Sequence, residues 1–366
     1  MAVIAPSRRV RRTPFSAGVE AAGVKGYTVY NHMLLPTVFR SVTEDYHHLK
    51  SAVQVWDVAC ERQIELRGPD AARLMQMLTP RDLRGMLPGQ CFYVPIVDET
   101  GGMLNDPVAL KLSEDRWWIS IADSDLLFWV KGLAYGYRLD VLVDEPDISP
   151  LAVQGPQADD LMARVFGDAV RSIKFFRFGW FDFQGVSMAV ARSGYSKQGG
   201  FEIYVDGTKN GMPLWNALFE AGKDLDVYAG CPNLIERIEG GLLSYGNDMT
   251  RENTPHECGL GRFCSTQTAI GCVGRDALLR VAKEGPTQQI RAISIDGDIP
   301  VCSGAWPLMA KGKRVGQITS AAKSPDYGTN VAIGMVRMTH WDEGSQLEVH
   351  TPDGPRDVTV HEKFWI

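Results

Sequence analysis

Three stretches of the 366-residue chain carry side chains whose type and spacing could do chemistry. The first is Gly101-Gly102-Met103-Leu104-Asn105-Asp106-Pro107-Val108. A strand over Phe92 to Val97 is expected to turn at Asp98 to Gly102 and return as a second strand. Alternation would place Leu104, Asp106, Val108 and Leu110 on one face. Asp106 then sits on an otherwise apolar stripe, and a buried charge is expensive unless something binds it. The functional reading is that this carboxylate faces a ligand in a cleft. The plainer reading is a surface Asp on an edge strand, which Pro107 would suit.

The second stretch runs from Arg192 through Gly194-Tyr195-Ser196-Lys197-Gln198-Gly199-Gly200 to Phe201-Glu202-Ile203-Tyr204-Val205. A glycine-rich loop hands over to a strand with Phe201, Ile203 and Val205 on one face and Glu202 and Tyr204 on the other. A carboxylate beside a phenol can grip a heterocycle, because it accepts two N–H bonds while the ring forms a wall. A half-exposed strand with polar residues outward is the competing account. The third is Cys231-Pro232-Asn233 and the helical pattern after it, with Leu234, Ile238 and Leu242 as the core stripe. Arg237 shares another face with Gly241 and Ser244, small residues that leave room for a ligand carboxylate to reach the guanidinium. A solvated surface Arg is the commoner case.

The elements that must position these groups are legible in outline. Leu74, Met77 and Leu78 have helical spacing after Gly68-Pro69-Asp70. Trp117 to Ala122, Met188 to Ala191 and Arg291 to Ile295 look like strands. Lys311-Gly312-Lys313 and Pro352-Asp353-Gly354 look like hairpin turns. The spacing predicts a basic tail over 1–25, mixed helices and strands over 26–285 forming two interleaved subdomains, and a small all-β domain over 286–366.

Length argues for two or three domains. The net charge of −6 argues against a nucleic-acid footprint, and no apolar run reaches the ~20 residues needed to span a bilayer. The segment holding Arg8, Arg9, Arg11 and Arg12 lacks an apolar core and a cleavage site, so a secretory signal is not expected. Seven scattered cysteines with no CxxC pair fit reduced thiols in the cytoplasm. His256, Cys258 and Cys264 match no zinc spacing, so no metal is expected.

Taken in order, these stretches resemble the glycine-cleavage T-protein superfamily. The likeness rests on Gly101 to Asp106, Leu151 to Pro156, Arg192 to Ile203, Arg237 to Asp248, Thr254-Pro255-His256-Glu257-Cys258-Gly259-Leu260 and Gly316-Gln317-Ile318-Thr319-Ser320. It implies an α+β fold: a three-lobed ring around a central folate cleft, with a C-terminal β-barrel domain. It implies tetrahydrofolate as the one-carbon partner, Asp106 as the catalytic aspartate, Glu202 as the pterin carboxylate, Arg237 near the folate, and Tyr93 and Tyr204 as cleft walls.

The family's usual Asp-Asp and Gly-Glu-Asp-Gly-Phe-Glu are replaced by Asn105-Asp106 and Lys197 to Glu202. Those departures, with Tyr27 to Pro36, Trp56 to Gln63 and Trp117 to Asp125, resemble the dimethylsulfoniopropionate demethylase branch. That branch implies methyl transfer from a small sulfonium substrate. Aromatic faces suit a sulfonium, and Tyr30, Tyr195 and Tyr204 are the candidates. Lys197, Ser120 and His32 are candidate partners for the substrate carboxylate, although a packed or capping histidine is the plainer reading of His32. An amine-donor one-carbon transferase is the first competing reading. A non-enzymatic folate-binding relative is the second, against which the absence of a cysteine from Arg192 to Gln198 counts. The resemblance leaves a homodimer open.

Overall fold

The computed structural model describes residues 7–265 and 270–366. These group into two compact units, each assembled from separate stretches of chain. The first comprises Met1–Ala71, Met86–Phe92 and Val108–Asn233; the second comprises Ala72–Gly85, Tyr93–Pro107 and Leu234–Ile366.

The first unit is built on two sheets. A six-stranded sheet runs in the order Phe178–Phe183, Val186–Ala191, Gly200–Asp206, Ile148–Gln154, Val53–Asp57, Val227–Gly230. All its neighbours are antiparallel except the last pair. One face is covered by the helices Ala158–Phe166 and Gly211–Ala221, whose Leu161, Met162, Leu214 and Leu218 pack on Val153, Phe201, Ile203 and Val205. On the other face Ala189, Ala191 and Tyr204 meet Leu110 and Trp118. These last two belong to a five-stranded sheet ordered Leu142–Asp144, Gln63–Arg67, Arg116–Ser120, Val108–Ser113, Cys91–Tyr93.

The strand Gly200–Asp206 is therefore buried on both faces along all but its last residue. This corrects the expectation of a half-exposed strand. Alternation assigned the two faces properly, but a second sheet rather than solvent lies over the Glu202–Tyr204 side. The helix Val42–Ser51 is set by its cap: Ser41 Oγ accepts from the Glu44 amide at 3.1 Å, and Glu44 and Asp45 occupy the first turn.

The expected basic tail is corrected from Thr13 onward. Residues 1–6 of it lie outside the described residues. Ser16–Ala21 is helical, and Phe15 and Val19 are buried in the core of the first unit. Phe15 stacks on Trp215 with centroids 6.3 Å apart, and Thr13 Oγ1 donates to the buried Asp57. Two apolar side chains and one buried carboxylate hold a segment that its arginines made look solvated.

The second unit contains a closed six-stranded barrel in the order Gln288–Ile295, Asn330–Arg337, Lys313–Lys323, Trp306–Ala310, Gln346–Thr351, Gly354–His361. Ile293, Leu308, Ile318, Val336, Val349 and Val360 fill it. Lys311 and Gly312 both take positive φ in the turn between two of its strands, as a two-residue hairpin requires. The helix after Cys231-Pro232-Asn233 is shorter than its sequence pattern implies. It spans Leu234–Glu239, with Ile238 buried, Leu234 exposed and Leu242 outside it. No helix among the described residues is long and apolar enough to cross a membrane.

Candidate active site

In the second unit, the strands Ile96–Val97 and Met103–Asn105 form a small hairpin. Its turn is built by Asp98, whose Oδ1 accepts from the amides of Thr100 (2.8 Å) and Gly102 (3.0 Å) and from Thr100 Oγ1 (2.6 Å). Both glycines are required. Gly101 adopts φ +83°, and a Cβ on Gly102 would lie 2.3 Å from the Arg251 carbonyl oxygen. The Met103 amide donates to the Asn253 carbonyl at 2.8 Å, tying the return strand down.

Asp106 follows directly. It does not sit on a continuous strand face, because the chain breaks at Asp106-Pro107 before the strand Val108–Ser113 begins. The expected stripe of Leu104, Asp106, Val108 and Leu110 is corrected accordingly: proline supplies no ladder donor, and the break turns the carboxylate inward. Tyr93 Oη donates to Asp106 Oδ2 at 2.8 Å. Asp106 Oδ1 is buried and has no hydrogen-bond partner among the described residues. Burial pushes the Asp106 carboxyl up to about 7, the Tyr93 hydrogen bond and a backbone amide opposing it and the charge of Asp248 adding to it. A buried acceptor left open is rare and expensive in a folded protein. Here it offers one free oxygen, on a group balanced between acid and base near neutral pH, to an incoming N–H. Tyr245 stands by, its hydroxyl donating to the Met103 carbonyl at 3.0 Å. Its own pKa is raised by burial and then by the charges of Asp106 and Asp98.

Arg237 is placed otherwise than the sequence implies. Its guanidinium is buried, with Nη1 on Asp248 Oδ2 at 2.8 Å and on the Leu242 carbonyl at 3.3 Å, and Nη2 on Ser320 Oγ at 2.6 Å. Asp248 Oδ1 accepts in turn from Ser320 and Thr319. Neither an open helix face nor a solvated cation describes it: a low-dielectric surrounding makes the internal carboxylate its partner.

In the first unit, Glu202 is buried between Ala152 and Ala191, its register partners on the two flanking strands. Small neighbours leave the carboxylate uncrowded. Ser193 Oγ donates to Glu202 Oε2, and burial raises the Glu202 pKa against that bond. Gln154 fixes the glycine-rich loop, donating to the carbonyls of Ser193 (3.1 Å) and Phe201 (3.3 Å) and accepting from Ser196 Oγ (2.7 Å). Arg192 lies over Phe201 at 4.4 Å and pairs with Asp159 at 2.7 Å.

Tyr204 is only 1% exposed, so the protein's own atoms already surround the residue expected to line a cleft. Its ring packs on Trp118 with centroids 5.9 Å apart. Among the described residues its hydroxyl has no hydrogen-bond partner of good geometry, although Ser120 is close enough to favour the ionised form slightly, against a much larger upward effect of burial. The Ser120 hydroxyl is buried and accepts from Gln63 Nε2 at 2.8 Å, so its hydrogen-bonding capacity is partly used.

The other substrate candidates lie on two features of this unit. Tyr30 ends the strand Gly26–Tyr30, half-buried and paired in register with Met33. His32 is at the tip of the same hairpin with φ +62° and stands 3.3 Å from Asp125. It is exposed, which corrects the reading of a packed histidine. Asn31, unremarked in the sequence, is the buried anchor of that turn: its side chain donates to the carbonyls of Cys60 (3.0 Å) and Ala122 (3.1 Å) and accepts from the Ser124 amide. Tyr195 and Lys197 remain on the glycine-rich loop, half-buried and exposed respectively. The Tyr93–Asp106 bond also escaped the sequence; a tyrosine thirteen residues before an aspartate carries no local signal.

Among the described residues, no group of three or more His, Cys, Asp or Glu side chains could hold a metal ion, and all seven cysteines are unpaired.

Family models match the chain in two segments. The GCVT N-terminal domain matches residues 16–268, and the glycine cleavage T-protein C-terminal barrel domain matches residues 288–365. The chain is 66% identical to the dimethylsulfoniopropionate demethylase of Ruegeria pomeroyi over 365 residues, covering 100% of both proteins. It is 29% identical to an aminomethyltransferase of Symbiobacterium thermophilum over 328 residues, 86% of each. The crystal structure of the glycine cleavage system aminomethyltransferase T from Bartonella henselae superposes with a TM-score of 0.87 at 24% identity, covering 98% of each chain. With both halves matched and the fold shared along nearly its whole length, the chain belongs to the glycine-cleavage T-protein family.

Proposed function

We propose that this chain is a tetrahydrofolate-dependent methyltransferase that takes a methyl group from the sulfonium of dimethylsulfoniopropionate. The products are 5-methyltetrahydrofolate and methylmercaptopropionate. The full-length 66% identity to a demethylase of that substrate supports the donor. The observation in the structure that carries the reading is the buried, open Oδ1 of half-buried Asp106, opposite the oxygen held by Tyr93.

The chemistry asks little nucleophile activation of the protein. The sulfonium methyl is electrophilic and the N-5 amine carries a free lone pair at neutral pH. In an in-line displacement the N–C bond forms as the S–C bond breaks, the electron pair stays on sulfur, and the N-5 proton is then lost. Holding the reactants in line can contribute ~7–11 kcal/mol. Positive charge moves from sulfur to nitrogen, so an ionised Asp106 beside the amine stabilises the transition state more than the ground state. Aromatic faces rather than carboxylates suit the sulfonium, each worth ~0.5–2 kcal/mol without fixing the cation in its ground state. Tyr30 and Tyr195, both half-buried, fit that part better than the enclosed Tyr204. Glu202 is assigned to the pterin N–H groups, and Arg237 to support of the Asp248 region rather than to direct folate contact.

The test is turnover of purified protein with tetrahydrofolate and dimethylsulfoniopropionate, following 5-methyltetrahydrofolate by chromatography, with glycine betaine and dimethylglycine as parallel donors. Transfer from the sulfonium alone is expected. Transfer from an amine donor alone would replace this reading with that of an amine-donor relative, and folate binding without transfer from any donor would point to a non-enzymatic folate protein.

A further inference from the structure

A cavity of about 460 Å³ opens on the first unit, between the helices Ser16–Ala21 and Gly211–Ala221 and the edge strand Val227–Gly230. Its size falls in the range of small-molecule sites. It lies on the helix-covered side of the six-stranded sheet, whereas Glu202 and Tyr204 face the other side. Most of the wall is apolar. Ala17 and Ala21 present only methyl groups, and Phe39, Trp215 and Phe219 supply aromatic surface. Trp215 stacks on Phe219 with centroids 4.9 Å apart. Gly18 lets the helices close together here, since a Cβ would lie 2.6 Å from Trp215 Nε1.

Arg40 is the one charged side chain in that lining, and no acid shares it. Its Nε donates to Asp45 Oδ1 at 3.1 Å, and Asp45 also accepts from the amides of Phe39 (2.9 Å) and Arg40 (3.3 Å). The guanidinium lies over Tyr228, 4.4 Å from the ring centroid, and that ring lines the cavity too. Nη2 is buried without a hydrogen-bond partner among the described residues, and no hydrogen bond from them reaches Nη1. Lys25 Nζ, held on the Arg40 carbonyl at 2.7 Å, brings a second positive charge close by, whereas Asp226 is drawn to His48 at 3.5 Å. Leaving guanidinium donors unmet is expensive. A fork already fixed by a carboxylate on Nε and a ring on its face loses little freedom on gripping an anion. Its complement is a carboxylate carried on an apolar body. We propose that this cavity binds a small carboxylic acid with an apolar body, its carboxylate on Arg40 and its body against Trp215 and Phe219. The site lies outside the proposed transfer reaction and does not depend on it.

The experiment is ligand-observed NMR titration of the full chain with phenylpropionate and hexanoate, against the uncharged phenylpropanol and hexanol. It compares wild type, Arg40→Gln, Arg40→Lys and Ala21→Trp, with and without saturating tetrahydrofolate. The acids should bind at about 1 mM or tighter and about tenfold more tightly than the alcohols. Arg40→Gln should abolish that preference, and Arg40→Lys should keep part of it, as a charge without the planar fork would. Ala21→Trp, on the exposed rim, should fill the cavity and weaken acids and alcohols alike by about tenfold or more, with methyl transfer unchanged. Tetrahydrofolate should not displace the acids. Failure of either acid to bind, acids no tighter than alcohols, displacement by tetrahydrofolate, or acid affinity unchanged in Ala21→Trp would each overturn the assignment. Binding is read directly, so failure of methyl transfer would overturn the proposed reaction and leave this site standing.

Discussion

Removing one hydrogen bond tests how the site sets its own protonation. Tyr93→Phe deletes the side-chain donor to Asp106 Oδ2, at 2.8 Å, and leaves the ring against Phe263. Burial holds the Asp106 carboxyl up at about 7, and the Tyr93 bond is the largest influence opposing it. A hydrogen bond to a charged group contributes about 1.5–3 kcal/mol. At ~1.4 kcal/mol per pH unit, its loss should move the Asp106 midpoint upward by roughly 1–2 pH units. If ionised Asp106 is the productive form, kcat/KM for methyl transfer rises with pH through about 7 in the wild type. At pH 7 about half the wild-type sites are ionised, against about a tenth or fewer in the variant. The variant should therefore be about fivefold or more slower there and recover most of the difference by about pH 9. The assay is the pH dependence of kcat/KM with saturating folate. A loss equal at every pH would refute the argument and make Tyr93 a wall rather than a donor. An unmoved midpoint without loss would remove Asp106 ionisation from the mechanism.

Three further outcomes are expected. Glu202→Ala should weaken folate binding by about tenfold or more while leaving sulfonium affinity nearly unchanged, as loss of a charge-assisted pair implies; equal loss of both by calorimetry would make the strand purely structural. Arg237→Ala should lower stability by about 3–5 kcal/mol, because it strands buried Asp248 without its cation; a drop below about 1 kcal/mol in urea unfolding would contradict a desolvated pair. Asp57→Asn should stabilise the protein near neutral pH. Burial raises the Asp57 carboxyl to about 6, with Thr13 and the Ala59 amide opposing it. Its folded pKa lies above the unfolded value, so the associated stability is present at low pH and lost as pH rises through about 6. The asparagine variant should gain at most about 3 kcal/mol at pH 7.5 and nothing near pH 4, read as Tm against pH; a gain equal at both pH values would refute the linkage.

The sequence by itself determined the local devices. Gly101-Gly102 announces a tight hairpin because only glycine accepts that φ and that approach to a backbone carbonyl. Lys311-Gly312 and Asp353-Gly354 announce barrel hairpins for the same kind of reason. Strand periodicity split Phe201, Ile203 and Val205 from Glu202 and Tyr204, and the structure keeps that split. The order of motifs was enough to identify the family, because each motif encodes a short-range requirement that survives in one dimension.

What only the tertiary structure decided is which groups are enclosed and which are left open. Alternation says that Tyr204 and Glu202 face the same way; it does not say that a second sheet, bringing Leu110 and Trp118, lies over them. Helical spacing puts Arg237 beside small residues, but its partner Asp248 and the barrel's Ser320 come from later segments. Four arginines make residues 8–12 read as solvated, yet Phe15 and Val19 find a core contributed by strands far along the chain. Even Asp106, named from its motif, owes its poise to Tyr93, Asp248 and the water excluded around it. Desolvation and pairing are sums over neighbours distant in sequence, and so they exist only once the chain has folded.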